Sequence, residues 1–568
     1  MSHFIFRIMT IRISILLFFA ICLSQFASAQ PASCLWAKSA SGPNTDIGYS
    51  VCSDASGNVY VTGSFVSDSI SFGSITLHNA NNPSYFDIFL AKYDPSGNII
   101  WAKRAGGNSD CESKSVHADA NGNIYISGYY SSTSIHFGTV TLNNPATGLA
   151  QVFLAKYDSN GNVLWAKGAG GTNHDQGACV TTDNSGNVFL TGYFGSSAIT
   201  FGSTTLTNAS TNGVHDIFLA AYDTNGNSLW AKKFGGNQYD EGLGLATDAT
   251  GNIFMTGYFQ SPTITFGSTT LTSVNTVGDF FLSKFDTNGN SLWAKAAGGT
   301  GEERGTGLAT DNNGNVYAAG WYNSHTVSFG ATTLTNTDNT GYTEDIFTGK
   351  YDTNGNLLWV KSGGGSIADK ANAIAVDANS NVFVTGFFTS YYAAFDSDTL
   401  LYNNSGNIFL TKYDTNGNEI WAQGSNGYSD ARSQSVAIDN SGNILITGSF
   451  FYQTLVLGST TLTNTTFGLT DVFLAKFSNV MGVNELHSEN NFSIFPNPNN
   501  GFFDLDVSSL NSNNYEIEIF NASGQVVYQE DAVNEKMLRI DLSEYAGGIY
   551  FIKILSEGEI YSGKILKL

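Results

Sequence analysis

The stretch Asp87-Ile88-Phe89-Leu90-Ala91-Lys92-Tyr93-Asp94-Pro95-Ser96-Gly97-Asn98-Ile99-Ile100-Trp101-Ala102-Lys103 decides the architecture. Two runs of aliphatic, β-branched and aromatic residues flank an Asp-x-x-Gly-Asn tetrad and its spacer. Glycine there supplies positive φ, while Asp and Asn hydrogen-bond nearby backbone, so the segment reads as two antiparallel strands around a tight turn. The pattern recurs. Trp36, Trp101, Trp165, Trp230, Trp293, Trp359 and Trp421 follow one another at 65, 64, 65, 63, 66 and 62 residues, and only Trp321 falls out of register.

Each copy adds a Gly-rich connection, a segment such as 48–54, another Asp-x-x-Gly-Asn turn and a run such as 59–63. That makes four short strands per unit, here A (48–54), B (59–63), C (88–93) and D (99–103). Runs such as Ile88-Phe89-Leu90-Ala91 offer apolar groups to both faces, as a sheet packed between two others requires. Four-stranded units repeated radially make a β-propeller; a linear solenoid would need polar capping repeats, which the sequence lacks. The chain ends agree. A D-type strand at Trp36 precedes any A, B or C, and a C-type strand at 471–477 comes last with no D after it. Pairing the two closes a ring of seven blades and removes two open edges. The fold class expected is all-β: a seven-bladed β-propeller over 30–478, a linker at 479–491, and a small β-sandwich over 492–568.

The repeated Gly-Gly, Asp-x-x-Gly-Asn-x-Tyr-x-Thr-Gly and Asp-x-Phe-x-x-Lys elements resemble the seven-bladed beta-propeller repeat (SBBP) family of bacterial secreted proteins over residues 34–478. Ala318-Ala319-Gly320 and Ser380-Asn381 depart from its pattern without threatening the fold. The family is functionally mixed, so the resemblance implies architecture rather than a ligand.

The chain is 568 residues long with 47 Asp+Glu against 25 Lys+Arg, a formal charge of −22, and 13% charged residues. That acidity excludes nucleic acid as a partner. Arg7, Arg12, the apolar run 13–23 and Ala27-Ser28-Ala29 read as a cleaved secretory signal over 1–29, and no later apolar run is long enough for a membrane span. Export permits disulfides among Cys34, Cys52, Cys111 and Cys179; three pairings are open, as is the reading of small buried hydrophobes.

After the propeller, Phe492-Ser493-Ile494-Phe495-Pro496-Asn497-Pro498, Gly501, the alternating Tyr515-Glu516-Ile517-Glu518-Ile519, Gly547-Gly548-Ile549-Tyr550 and the closing Lys564-Ile565-Leu566-Lys567 suggest a two-sheet sandwich. These motifs resemble the type A C-terminal sorting domain of the bacterial type IX secretion system. The resemblance implies a secretion-machinery partner, a location outside the cell or on its surface, and a sorting signal carried by Pro496, Asn497, Pro498, Gly501, Gly548, Tyr550, Lys564 and Lys567.

Chemistry is sparse. No Gly-x-Ser-x-Gly elbow, His-Glu-x-x-His or phosphate loop occurs, and the histidines share no metal spacing. The Asp-x-x-Gly-Asn tetrads lack the twelfth-position Glu of a calcium loop, so they read as turns. One acidic residue sits in every D–A connection: Asp46, Asp110, Asp175, Asp240, Glu303, Asp369 and Asp430. They are expected near the channel mouth, either gathering a cation such as calcium or latching onto backbone amides of the neighbouring blade; no other cofactor is expected. The insertions 64–86, 129–150, 193–215, 258–278, 321–344, 387–406 and 449–470 all leave from one face, most with an Ile-x-Phe-Gly hairpin signature. That face, with Tyr85, Trp321, Tyr322, Tyr391 and Tyr392, is the expected ligand surface. The expectation is a monomeric, exported, non-enzymatic scaffold binding carbohydrate, protein or surface material. A secreted glycan-acting hydrolase or lyase at the channel mouth is the alternative, and a structural surface component is a third reading.

Overall fold

The computed structural model describes residues 31–568 except 80–83, 147, 211, 276, 339–341, 403–406, 428, 465, 467, 480–491, 511–513, 522–524, 534 and 557–558. The expected signal segment and nearly all of the expected linker lie outside the described residues. Two compact units divide near residue 481.

The first unit is a seven-bladed propeller. Blade 1 runs A Asp46–Ser53, B Val59–Phe65, C Asp87–Tyr93 and D Ile99–Gly106, all antiparallel, and the order repeats through blade 6. In blade 7, strands Ala431–Ile438, Ile444–Phe450 and Asp471–Ser478 are completed by Ser33–Ala40, which pairs Ala37 with Ala475 and Ala40 with Val472. Strands B and C are buried along their length because each blade is covered on both sides, which accounts for their unbroken apolar runs. The four cysteines are free thiols.

Neighbouring blades are stitched by the repeated tryptophan. The Trp101 indole N–H donates to Ser159 O at 3.2 Å, in the C–D turn of the next blade, and Lys92 Nζ donates to the same carbonyl at 3.0 Å. Trp36, Trp165, Trp230, Trp293 and Trp359 repeat the contact at 3.1–3.2 Å. Blade 7 has no C–D turn to offer, since its D strand comes from the other end of the chain. There Lys412 Nζ donates to Asn479 Oδ1 at 2.7 Å, so a side-chain amide replaces the missing backbone carbonyl. Asn479, which the sequence places at the start of the linker, belongs to the propeller.

The B–C insertions form two-stranded hairpins such as Ser69–Phe72 with Ile75–His78. The Phe of Ile-x-Phe-Gly packs on strand C of its own blade, with ring centroids 5.1 Å apart for Phe72–Phe89 and 4.9 Å for Phe201–Phe218. The hairpin edge bridges strand D of the preceding blade, as in Phe137 opposite Ala105. Much of each insertion therefore clamps two blades together at the periphery, rather than standing free above the face.

The second unit packs a three-stranded sheet against the four-stranded sheet of Val526–Val533, Asn514–Asn521, Gly548–Ser556 and Glu559–Lys567. Leu505, Ile517, Ile519, Ile540, Ile552 and Ile554 fill the space between.

Candidate binding mouth

The acidic residues of the D–A connections do not form a seven-fold ring at the mouth. Strand A begins at Asp46, Asp175, Asp240, Glu303 and Asp369, but at Cys111 in blade 2 and Ala431 in blade 7. Asp110 and Asp430 sit one residue earlier, in the loop. There Asp110 accepts from Phe86 N at 3.0 Å and Asp430 lies 3.5 Å from Arg432. The five carboxylates that do share a position are enclosed between blades. Each accepts from a serine past the end of its own strand B: Ser67 to Asp46 at 3.0 Å, Ser196 to Asp175 at 2.7 Å, Ser261 to Asp240 at 2.6 Å, Ser324 to Glu303, and Ser390 to Asp369 at 2.7 Å. The amides of Gly171, Gly236, Gly299 and Gly365 add a second donor to four of them.

The carboxylates thus tie together their own blade's loops, while the link to the preceding blade runs through the backbone, as in Asp240 N to His215 O at 2.9 Å. Shells of N–H and O–H donors suit an anion, not the oxygen-rich coordination a calcium ion requires. Among the described residues no group of three or more His, Cys, Asp or Glu side chains converges as a metal site would need.

Burial pushes these groups up, Asp46 and Glu303 to about 8 and Asp175, Asp240 and Asp369 to about 6. In four interfaces a second carboxylate, at the start of strand C of the preceding blade, adds its charge: Asp471 against Asp46, Asp216 against Asp240, Asp279 against Glu303 and Asp345 against Asp369. A Cβ on Gly364 would lie 2.5 Å from Asp345 Oδ1 and 3.2 Å from Asp369 Oδ2, so these two oxygens face one small space.

The tyrosine and tryptophan candidates separate. Tyr322 is fully buried, its hydroxyl bonded to Thr335 O and Ser362 Oγ; it belongs to the core because strand B continues through it and turns it inward. Trp321 is 7% exposed, its faces covered by Lys370 at 4.1 Å and Arg304 at 5.5 Å. Tyr85, Tyr391 and Tyr392 are 39%, 72% and 43% exposed. Tyr392 pairs with Leu401 on a hairpin whose counterparts carry Ser71–Thr76, Thr200–Thr205 and Thr265–Thr270 pairs.

Apart from Trp321, the residues that the sequence reading missed sit one step along strand A from its start or face that residue from the penultimate position of strand B. These pairs are Ile47–Ser64, Glu112–Tyr129, Gln176–Tyr193, Glu241–Tyr258, Arg304–Trp321, Lys370–Phe387 and Arg432–Ser449. No two pairs are alike, although the next residue of strand A is Gly, Ala or Ser in every blade. Around the mouth, cations stack on the aromatic of the preceding blade: Arg304 over Tyr258 at 4.0 Å, Lys370 over Trp321, and Arg432 over Phe387 at 4.6 Å. Each also meets an acid, Glu302 at 2.6 Å, Glu344 at 2.9 Å and Asp430. On the other side Glu112 takes Lys114 at 2.6 Å and the hydroxyls of Tyr49 at 2.9 Å and Tyr129. Burial raises its carboxyl, but Lys114 and the two hydroxyls outweigh this and hold it below the usual range. His215 Nδ1 lies 2.9 Å from Glu241 and its ring stacks on Tyr193 at 4.3 Å.

In the second unit the motif residues hold the fold. Asn497 Nδ2 donates to Lys564 O at 2.7 Å and its Oδ1 accepts from Leu566 N at 2.8 Å, imitating a strand pairing. Lys567 is buried, donating to the carbonyls of Leu542 at 2.9 Å, Ser543 at 3.0 Å and Tyr545. Gly501, at φ 100°, passes so close that a Cβ would meet Ser543 Cα at 2.8 Å.

The chain is similar to the uncharacterized WD repeat-containing protein L264 of Acanthamoeba polyphaga mimivirus, at 27% identity over 503 residues, 74% of this chain and 36% of that protein. A propeller accords with that repeat. It is also similar to the regulatory protein FlaEY of Caulobacter vibrioides, at 26% identity over 216 residues, 36% of this chain and 22% of that protein. The chain therefore spans little more than a third of the first relative. Among solved structures, Sqt1 from Chaetomium thermophilum overlaps at a TM-score of 0.34 and 9% identity, over 79% of this chain and 100% of that one. A mutant puromycin hydrolase complexed with PGG overlaps at 0.31 and 8%, over 72% and 58%. Residues 493–567 match the family of secretion system C-terminal sorting domains, and a tail of that family directs the chain through type IX secretion to the cell surface or exterior.

Proposed function

We propose that this protein is an exported, non-enzymatic binding scaffold of the SBBP type, whose recognition surface is the channel mouth. A leader over residues 1–29 takes it across the inner membrane and the C-terminal domain across the outer one. The observation that carries the reading is internal to the chain. The repeats agree at the turns, the tryptophan and the small residues of strand A, and differ at the mouth pair in every blade. A symmetric scaffold needs no such differences for stability, whereas one asymmetric ligand on the axis does. The ligand is a carbohydrate or protein of the surface on which the chain is displayed.

The test is binding of surface polysaccharide and surface protein, purified from the producing bacterium, to the mature chain and to Arg304→Ala and Lys370→Ala. Retention lost in the variants supports the mouth; equal retention refutes it. The His215–Glu241 pair beside Tyr258 favours a second reading, a glycan-acting hydrolase or lyase, and release of shortened glycan during the same experiment would establish it instead. Export is tested by deleting 492–568, which should strand the propeller in the periplasm; undiminished surface display would overturn that part.

A further inference from the structure

Below the mouth, every innermost strand carries a β-bulge at the same point, between Gly48 and Ser50 in blade 1 and between Ala371 and Ala373 in blade 6, for example. A bulge leaves one residue unpaired and re-aims its side chain. The seven bulged residues are all different, yet each is followed by Gly, Ala, Ser or Cys, the smallest being Gly244 and Gly307. The bulged side chains and these small residues line one axial cavity of about 360 Å³. That lies near the lower end of the roughly 300–1,000 Å³ of small-molecule sites.

The lining has two sectors. Thr306, Asn372 and Gln434 from blades 5–7 and Tyr49 and Lys114 from blades 1–2 bring hydroxyl, amide and ammonium groups, while Ala178 and Leu243 from blades 3–4 are apolar. Lys114 is charge-balanced by Glu112 at 2.6 Å. His117, also in the wall, is bonded to Thr182 Oγ1 at 3.0 Å, and burial pulls it down to about 4, so it stays neutral at physiological pH. The Thr306 hydroxyl already donates to Ala371 O at 2.8 Å, Asn372 Nδ2 to Ser433 O at 2.8 Å and the Tyr49 hydroxyl to Glu112 at 2.9 Å. One arc therefore presents acceptor oxygens and the Gln434 amide and the other a C–H surface, with the wall's lysine balanced by Glu112.

We propose that this axial cavity binds one neutral sugar unit, the end of a glycan chain that enters through the mouth. A pyranose has a matching division, a rim of hydroxyls and an apolar C–H face. A charged ligand would have to displace the Glu112–Lys114 pair. The assignment rests on the binding reading above and deepens it by naming the ligand class and the depth of the site.

The test is an array of neutral and acidic oligosaccharides beside an array of peptides, probed with the full mature chain and three variants. Ala178→Phe fills the cavity from a bulge position, Asn372→Ala removes one hydrogen-bonding arm, and Leu164→Ala alters only the half-exposed outer strand of blade 2. The expected result is binding to glycans with neutral non-reducing ends. That binding should be abolished by Ala178→Phe, weakened about ten-fold by Asn372→Ala, the scale of one lost hydrogen bond, and unchanged by Leu164→Ala. Asn372 Nδ2 also donates to Ser433 O of blade 7 at 2.8 Å, so the variant should melt slightly earlier, and an unchanged circular-dichroism spectrum at the assay temperature guards against misfolding. Preference for acidic glycans, or for peptides alone, overturns the sugar assignment while leaving a binding protein. Glycan binding unaffected by Ala178→Phe but lost in Arg304→Ala moves the site up to the mouth and overturns the cavity. Silence of the wild type on both arrays overturns both readings.

Discussion

Replacing Asp345 by Asn should make the propeller less sensitive to alkali. Asp345 and Asp369 meet between blades 5 and 6, both enclosed. Asp369 accepts four donors, from Gly365 N, Thr389 N, Ser390 N and Ser390 Oγ, at 2.7–3.2 Å. Asp345 accepts from Thr337 N at 2.7 Å through Oδ2, while its Oδ1, which faces Asp369, has no hydrogen-bond partner. A proton on Oδ1 would complete the interface. Consistent with this, burial, with the Asp369 charge as a further contribution, pushes Asp345 up to about 7 from 3.8. The folded state therefore holds a proton that the unfolded chain releases, so the stability this pair contributes is whole below about pH 4 and is lost as pH rises through 7. At 1.36 kcal/mol per unit, a displacement of this size corresponds to about 4 kcal/mol, for a pair that titrates as a unit. Asn places a permanent donor where the proton would sit. The variant should match the wild type within about 1 kcal/mol at pH 4 and exceed it by about 4 kcal/mol at pH 9. For a cooperative unit of some 450 residues this is about 4 °C in melting temperature, from an unfolding entropy near 2.1 cal/mol/K per residue. Gln151 and Asn407 already stand at the equivalent position of two other blades, so an amide fits. Parallel pH profiles for the two proteins in scanning calorimetry, or a variant destabilised at both ends, would refute the shared-proton account.

Two further substitutions probe the frame. Ser380 has φ 62° at the turn position where Gly57 has φ 77° and Gly122 φ 76°, so Ser380→Gly should stabilise the chain by about 1 kcal/mol, read as a small rise in thermal midpoint. Lys567→Met removes the ammonium from its cage of three carbonyls and should cost the C-terminal domain about 2–3 kcal/mol. Faster proteolysis confined to residues after 491 is the expected sign, with the propeller fragment left intact.

The blades were legible because each rests on residues that must repeat. A tryptophan that reaches the next blade's carbonyl recurs in six blades, and a positive-φ glycine in every Asp-x-x-Gly-Asn turn, with Ser380 standing in for it in blade 6, and regular spacing exposed both. Ring closure followed from the strand types at the two ends. What misled was parity and register. Trp321 and Tyr322 adjoin in sequence, yet strand B extends through both and sends them to opposite sides, one under two cations and the other into the core. Asp110 and Asp430 lie in the same connection as Asp46 and Asp175, but nine residues after the repeated tryptophan instead of ten. Counting ten residues from the repeated tryptophan already puts Cys111 and Ala431 at the carboxylate position, and the strand pairing agrees. The mouth residues were passed over for a related reason. Repetition draws attention to agreement, and the candidate site is made of disagreement. A usable signal was present: a position that varies in all seven copies while its neighbour in strand A stays small.

The charge of the chain bears on the ligand in the opposite sense from its face value. An excess of 47 acidic over 25 basic residues suggests a negative field at any opening. Yet the turn carboxylates are consumed locally: Asp54 accepts from Ser56 N, Asn58 N, Asn58 Nδ2 and Tyr60 Oη at 2.7–3.0 Å, and its pKa stays below the usual value despite burial. The interface carboxylates are enclosed and held high, so near neutral pH they carry less than their formal charge. At the mouth itself Glu112, Glu302, Glu344 and Asp430 pair with Lys114, Arg304, Lys370 and Arg432, while Glu241 meets His215 and Asp110 accepts from Phe86 N, six acids against four permanent cations. Paired charges at a few ångströms cancel within a Debye length of about 8 Å in physiological salt, so a ligand approaching the axis meets only the small acidic excess of Asp110 and Glu241. Selection there has to come from hydrogen bonds and shape, which is the recognition that a neutral, hydroxyl-rich ligand can satisfy.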